Sequence, residues 1–356
     1  MSYNVFGQLL RLSTFGESHG VAVGGILDGF LSNIDIDFQS IELQMQRRRP
    51  GQNRLTTQRQ ETDAIKWLSG ILDGKSTGAP IAFLIENNDA RSQDYEKFKD
   101  VFRPSHADYT YLMKYGIRDH RGGGRSSART MAPWVVAGAL AKQLLPLVKI
   151  TAFVSAIGTV AVPTDYTHLD FKEIENNEVR CPHPQTASAM IEQIEWAIKE
   201  KDSLGGIITC VVQNSPIGLG DPQFSKLNAL LAHAMFSINA VKGVEFGGGF
   251  NMCAKKGSEV NDSFISEENT ITTATNFSGG IQGGISNGSD IVFNIAFKPT
   301  ATIGIAQETI NSNSEEITLE ASGRHDPCVV PRAVPIVEAM TSLVLADRFL
   351  YHITNA

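Results

Sequence analysis

Residues 118–145 read RDHRGGGRSSARTMAPWVVAGALAKQLL. From Ala128 to Leu145 the run is apolar on nearly every side of a helix, which predicts a helix buried in the middle of a large core. Pro133 would break a helix interior, so the helix either begins near Thr130 or kinks at that point. Just before it, Arg118, Arg121, Arg125 and Arg129 surround Gly122, Gly123 and Gly124. Two readings compete for this part. As a socket for a phosphorylated ligand, the glycines let the backbone approach an anion, Ser126 and Ser127 offer hydroxyls and a helix N-terminus, and guanidinium groups grip phosphate bidentately. As a solvated arginine- and glycine-rich loop, it would resemble flexible RNA-binding segments.

The whole composition bears on that choice. In 356 residues, 31 Lys and Arg stand against 38 Asp and Glu, a net charge of −7 that disfavours a general nucleic-acid binder. The basic residues are concentrated locally: Arg103, Lys114, Arg118, Arg121, Arg125 and Arg129 face only Asp108 and Asp119 in the same stretch. A cationic patch on an acidic protein suits a small anionic ligand. The chain is 42% hydrophobic, ample for a substantial core, and no repeat, linker or low-complexity tract divides it, so one domain over 1–356 is expected. Cys181, Cys210, Cys253 and Cys328 are far apart, which points to thiols in a reducing cytoplasm and to neither a disulfide scaffold nor a zinc site. No apolar stretch reaches transmembrane length and no signal pattern is present, so a cytoplasmic location without membrane attachment is expected.

Working outward to the N-terminal side, Val5 to Phe15 has strand composition and leads into GESHG, Gly16 to Gly20, which matches the G-x-S-x-G pattern of a hydrolase elbow. An elbow must pass directly into a helix. Val21 to Phe30 is instead β-branched and glycine-rich, so a hairpin with Ser18 and His19 at its tip is expected, with His19 an acid/base candidate. A serine hydrolase using Ser18 and His325 is the alternative of a different class. Phe38 to Arg48 predicts a helix with Arg47 and Arg48 in its last turn, where they complement the helix dipole. Arg48, together with Arg54 in the following loop, extends the cationic surface. Ile65 to Glu86 reads as paired strands around Asp73-Gly74, not as a Walker loop. In RPSHAD, Pro104 can open a helix and place Arg103 and His106 at its positive end.

Towards the C-terminus, strands are expected at Phe153 to Val162, Ile207 to Gln213 and Asp290 to Phe297. Helices are expected at Ala187 to Lys199, Phe224 to Asn239 and Pro335 to Tyr351. No G-x-G-x-x-G occurs, so a dinucleotide-binding unit has no support. Arg324, His325 and Asp326 form a compact acid/base and anion cluster. Candidates scattered from His19 to Asp326 imply that one fold gathers them in a single site.

Together, GESHG with VGGILDG, RRRPG, RPSHADY, RGGGRSSAR, SINAVKGVEFG, GGIQGGISNG, KPT and GRHDP resemble the chorismate synthase family, from Gly16 to Ala339 and in the family's order. The resemblance implies an α+β fold, a β-α-β sandwich with a central helical layer between antiparallel sheets, assembled as a homotetramer. It implies an anti 1,4-elimination of phosphate from 5-enolpyruvylshikimate-3-phosphate, requiring reduced FMN without net redox change.

Carried onto this sequence, the resemblance makes His19 the acid for the departing phosphate and His106 the histidine that balances charge on the reduced flavin. Asp326 becomes the aspartate that assists proton transfer at the flavin. Arg48, Arg54, Arg103, Arg129 and Arg324 become the substrate cage. Flavin contacts fall on Arg125, Ser126, Ser127, Asn239, Ala240, Gly283, Lys298, Pro299, Thr300, Ala301, Thr302 and Arg324. Arg48 and Arg54 also match possible nicotinamide-dinucleotide contacts, with NADPH entering only indirectly through flavin reduction, by an external flavin reductase. One departure is visible: Thr130, Pro133 and Trp134 stand where the family has an acidic residue and, a turn later, an arginine.

Overall fold

Two five-stranded antiparallel sheets enclose a layer of helices in the computed structural model, which describes residues 4–56, 62–88, 95–96, 98–267, 270–320 and 326–355. In spatial order the first sheet contains Val5–Phe6, Arg11–Gly16, Ala22–Asp28, Ile81–Glu86 and Ile65–Ser69. The second contains Val241–Phe246, Ile291–Phe297, Gly206–Gln213, Lys149–Ile157 and Val160–Ala161. The helices are α1 (Phe38–Arg48), α2 (Asp108–Tyr115), α3 (Ala132–Lys142), α4 (Pro184–Lys199), α5 (Leu227–Phe236), the short α6 (Gly257–Val260) and α7 (Val330–Asn355).

Alternation dictates the sheets. Ile81, Phe83 and Ile85 are buried in turn, as are Ile291, Phe293, Ile295 and Phe297, so each strand turns one face to the helices. Between them, α3 packs on the first sheet, α7 packs on the second, and α3 and α7 pack on each other. That explains why both helices are apolar on all sides. The expected α+β sandwich is the one observed.

The close approach of α3 and α7 depends on Gly138, where an added Cβ would lie 2.4 Å from the Ala339 Cα. Gly138→Val is expected to destabilise the fold by about 3 kcal/mol through overpacking. An unchanged urea midpoint for this variant would show that the helices can part at no cost.

One helix start falls close to the expected place and another does not. A 3-10 turn at Ala128–Met131 precedes α3, and Pro133 falls in the first turn of the α-helix, where its missing N–H is not needed. Thr130 Oγ1 donates to the Ser127 carbonyl at 2.8 Å and steadies this entry. For α7, Pro335 was the expected start but lies inside a helix that begins at Val330. Pro335 has no N–H to give the carbonyl of Pro331 four residues back. The buried Arg180 supplies the donor instead, with Nη1 to Pro331 O at 2.6 Å. A long-range partner repairs the break, and no local pattern announces it.

Candidate active site

At one end of the helical layer lies a cleft of about 390 Å³. Its walls come from the end of α1, the Arg103–Ala107 turn, the Gly122–Arg129 loop, the Asn239–Ala240 corner, Lys298–Thr302 and the start of α7. A larger cavity, about 830 Å³, lies against the second sheet beside Phe153, Thr209, Phe277 and Asn294. Among the described residues its lining contains no cation, so the smaller, cationic cleft is the better match to an anionic ligand.

The GESHG turn docks on the glycine loop. Gly122, Gly123 and Gly124 all have positive φ, and a Cβ on Gly122 would lie 2.0 Å from the His19 Cε1. Glycine is required there so that the imidazole can approach. Ser18 is buried and donates its hydroxyl to the Gly122 carbonyl at 3.1 Å. Because that single proton is committed, the 3.1 Å contact between Ser18 Oγ and His19 Nδ1 requires Nδ1–H to donate. In the neutral ring His19 Nε2 is therefore the nitrogen that carries no proton. The ring also packs edge-on against Tyr95, which like Gly122 lines the cleft. With Ser18 buried and the strand Ala22–Asp28 following, the hydrolase alternative has no geometric basis.

Three buried arginines face the cleft. Arg103 holds Asp108 bidentately, with Nε and Nη2 each 2.8 Å from a carboxylate oxygen. Arg48 and Arg129 share Asp63: Arg48 Nη1 is 3.2 Å from Oδ2, and Arg129 Nη1 donates to Oδ1. Burial pulls the Arg48 pKa down to about 10, with Asp63 opposing and Arg332 and Arg129 adding to the fall. For Asp63, burial acts upward, but Arg48 and Arg129 together hold the carboxyl below its ordinary range. Arg332, in the first turns of α7, also lines the cleft and pairs with Asp326.

His106 is fixed at both nitrogens. Nδ1 lies 2.9 Å from the Pro104 carbonyl, a pure acceptor, so Nδ1 carries a proton. Nε2 lies 2.9 Å from Thr302 Oγ1 and accepts its hydroxyl in the neutral ring. Burial, and then Arg103, lower the pKa, so without an added anion His106 is neutral at pH 7. Lys298 is also lowered by burial, and its Nζ reaches Ser105 O at 3.4 Å. Asn239 Nδ2 donates to Ser126 O at 2.5 Å, and Ala240, at φ +70°, accepts from Lys298 N at 2.9 Å. These bonds tie the two loops that Ser126 and Lys298 start from into one wall.

The cleft thus gathers Arg48, Arg103, His106, Ser126, Ser127, Arg129, Asn239, Ala240, Lys298, Pro299, Thr300, Ala301, Thr302 and Asp326, with His19 behind Gly122. Three candidates are placed elsewhere. Arg54 is largely exposed and pairs with Glu195 of α4 and, at 3.5 Å, with Glu178. Arg125 turns back to the first sheet, donating to Gly16 O at 3.0 Å and Thr14 Oγ1 at 2.7 Å. Gly283 sits at the tip of the small hairpin Ile281–Gln282/Ile285–Ser286, outside the cleft lining. Arg324 and His325 lie outside the described residues. Asp63 and Arg332 escaped sequence reading; a lone arginine in the apolar run VVPRAVPIV was the one available signal for Arg332. Among the described residues, no cluster of His, Cys, Asp and Glu could hold a metal ion, and no helix is long and apolar enough to cross a membrane.

Residues 10–350 match the family model described as chorismate synthase. The chain is 55% identical over 350 residues to the chorismate synthase of Christiangramia forsetii, covering 98% of each chain. It is 53% identical over 350 residues to that of Bacteroides fragilis, again covering 98% of each. Among solved structures, it resembles a crystal structure of chorismate synthase with a TM-score of 0.77 at 31% identity, over 98% of this chain and 93% of that one. The chain therefore belongs to the chorismate synthase family, and it is an enzyme, a lyase of aromatic biosynthesis.

Proposed function

We propose that this chain folds as one domain and, as a cytoplasmic homotetramer, eliminates phosphate in the anti-1,4 sense from 5-enolpyruvylshikimate-3-phosphate, with reduced FMN bound beside the substrate. The observation that carries the reading is the charge of the cleft: Arg48, Arg103, Arg129, Arg332 and Lys298 outnumber the carboxylates Asp63, Asp108 and Asp326 that pair with them. A substrate bearing a phosphate and two carboxylates supplies the missing negative charge.

The same surplus fits a flavin phosphate. The tied wall of Ser126, Asn239, Ala240 and Lys298–Thr302 offers backbone and hydroxyl groups of the kind a flat polar ring requires. When bound, reduced FMN supplies transient electron density to the breaking carbon–oxygen bond and is returned unchanged. NADPH enters only through flavin reduction, which an external reductase performs. Exposed Phe250, Phe264 and Ile271 support association with further copies of the chain.

In the reaction, the ring C–H bond and the C–O bond to phosphate break, a conjugated diene forms, and inorganic phosphate leaves. His19, with Nδ1–H locked on Ser18, delivers a proton from Nε2 to the departing phosphate. His106, its pKa lowered by burial and Arg103, takes up a proton when anions bind, releasing the Thr302 hydroxyl from Nε2. Arg48 and Arg129 hold the anionic groups, and Arg332 holds Asp326 in place to help take up the proton released from the ring C–H bond.

Anaerobic mixing of the protein with reduced FMN and 5-enolpyruvylshikimate-3-phosphate should produce chorismate, followed by its absorbance. Correctly folded protein that gives none would overturn the reading. In the same assay His19→Ala and His106→Ala should each turn over roughly 10²- to 10⁴-fold more slowly, the usual loss of a proton-transfer group. Rates like the wild type's would remove those roles.

A further inference from the structure

We propose that Asp63 and Asn87 are positioning residues, a clamp that aims the Arg48–Arg129 pair into the cleft and couples it to the His19 turn. The proposal rests on the reading of the cleft given above. Their placement follows from strand register. Ile65–Ser69 and Ile81–Glu86 are antiparallel neighbours with Ile65 opposite Ile85 and Trp67 opposite Phe83. Asp63 and Asn87 lie just beyond the paired ends of these strands, two residues outward from Ile65 and Ile85, and both bond Arg129. Between these strand ends and α3, which packs against Ile81–Glu86, runs the 3-10 turn that carries Arg129.

The bonds at this strand end are complementary. Asn87 Oδ1 accepts from Arg129 Nε at 2.8 Å, while its Nδ2 donates to Glu17 O at 2.9 Å and Gly20 O at 2.8 Å. A reversed amide would set donor against donor on one side and acceptor against acceptor on the other, so the orientation is unambiguous. One side chain therefore joins the turn that carries His19 to the guanidinium of Arg129. Arg129 Nη2 adds a bond to Glu86 O at 3.0 Å, and Nη1 binds Asp63. An arginine has five N–H donors. Three of Arg129 are committed to this strand end, which fixes the plane of the group and leaves the other two for a ligand.

Asp63 serves two arginines at once. Its side chain is fully buried, and its φ of +51° is uncommon for a residue other than glycine. Backbone strain held in place by its surroundings is often found at functional sites. One carboxylate between two guanidiniums partly compensates them and leaves a net positive charge that attracts an anion. Arg48 is additionally fixed by Nη2 to Ala128 O at 2.8 Å, in the loop that carries Arg129.

The test uses steady-state turnover with reduced FMN, and calorimetric binding of 5-enolpyruvylshikimate-3-phosphate to protein without flavin. Asp63→Asn should lower kcat by about 10²-fold, the scale of a reacting group misplaced by an ångström. Substrate affinity at low salt should be retained or improved, and its salt dependence should steepen, because the charge removed is negative. Asn87→Ala should lower kcat about tenfold with the salt dependence unchanged, the smaller effect of one lost neutral link. Adding Arg129→Lys to either variant should cost less than Arg129→Lys alone by more than about twofold, since residues acting through one another are not additive.

The clamp is refuted by wild-type kcat in the folded variants, by additive losses with Arg129→Lys, or by parallel salt dependences for Asp63→Asn and wild type. It is refuted as well if Asp63→Asn cannot fold while Asn87→Ala folds and turns over normally, because Asp63 would then be purely structural. If Asp63→Asn does not fold and Asn87→Ala is slow, non-additivity of Asn87→Ala with Arg129→Lys supports the clamp. Wild-type protein that binds substrate without turnover sinks the elimination reading alone, and the salt dependence still decides the clamp.

Discussion

Gly122→Ala should cut kcat by roughly 10²- to 10⁴-fold, as much as removing His19 itself. Two costs combine at this position. An alanine at φ +73° occupies left-handed space at about 1–2 kcal/mol. More severely, its Cβ would stand 2.0 Å from Cε1 and 2.1 Å from Nδ1 of His19, far inside contact distance. The imidazole has little room to retreat, because Tyr95 packs on it and Ser18 holds Nδ1. Displacing it breaks the Ser18–His19 bond that directs the exchangeable proton to Nε2. Arg48, Arg103 and Arg129 are untouched, so KM should rise far less than kcat falls. Gly123→Ala is the matched control. At φ +85° it pays the same backbone cost, yet among the described residues its Cβ would meet only Ser126 Oγ at 3.5 Å. Equal losses in both variants would mean that strain in the loop, not the approach to His19, governs turnover.

The contrast between these neighbouring glycines marks how far the sequence could be read. That the RGGGR stretch forms a loop rich in cations ahead of a buried helix was legible, because glycine, arginine and uniform apolarity are local signals. Which glycine is indispensable was not, since that depends on a histidine more than a hundred residues away in the chain. The helix Phe38–Arg48 was legible to the residue: Asp37 caps it, accepting from Ser40 N at 2.9 Å, and Pro50 ends it. The start of α7 was misjudged at Pro335 because the donor that repairs the break belongs to Arg180.

The same limit applies to charges. Arg48, Arg103, Arg129 and Arg54 look alike in sequence, each in or beside a loop. Asp63 and Asp108 sit where they orient the first three towards the cleft, whereas Glu195 and Glu178 draw Arg54 away. Which carboxylate neutralises which arginine is decided by tertiary packing, so residue type alone marks a cationic region without assigning its members. Arg125 illustrates the point within the socket itself, since its acceptors Gly16 O and Thr14 Oγ1 lie on a strand formed long before it in the chain.

Asp347→Ala is expected to be the most destabilising single change, by at least about 4 kcal/mol, and to leave kcat unchanged in the fraction that remains folded. Asp347 is a buried carboxylate in α7, where sequence offers only an Asp-Arg pair in a largely apolar stretch. Its Oδ1 accepts three consecutive backbone N–H groups, from Gln8 at 3.1 Å, Leu9 at 2.7 Å and Leu10 at 2.9 Å. Its Oδ2 accepts from Arg348 Nη2 at 2.8 Å, and the next carboxylate to Arg348, Asp221, is 3.9 Å away. Alanine would strand the three donors at about 1–3 kcal/mol for each one that water cannot reach, and would leave a buried guanidinium poorly compensated. Asp347→Asn keeps an oxygen for the backbone and loses only the charge, so its cost should be smaller. At about 1–1.5 °C per kcal/mol in a protein of this size, Asp347→Ala should melt roughly 5 °C lower in calorimetry. Its distance from the chemistry follows from the helix itself: fifteen residues separate Arg332 from Asp347, about 22 Å at 1.5 Å per residue. An Asp347→Ala protein with a wild-type melting temperature would mean that the Gln8–Leu10 turn finds other acceptors. One with a normal fold and low kcat would mean that this end of α7 reaches the cleft.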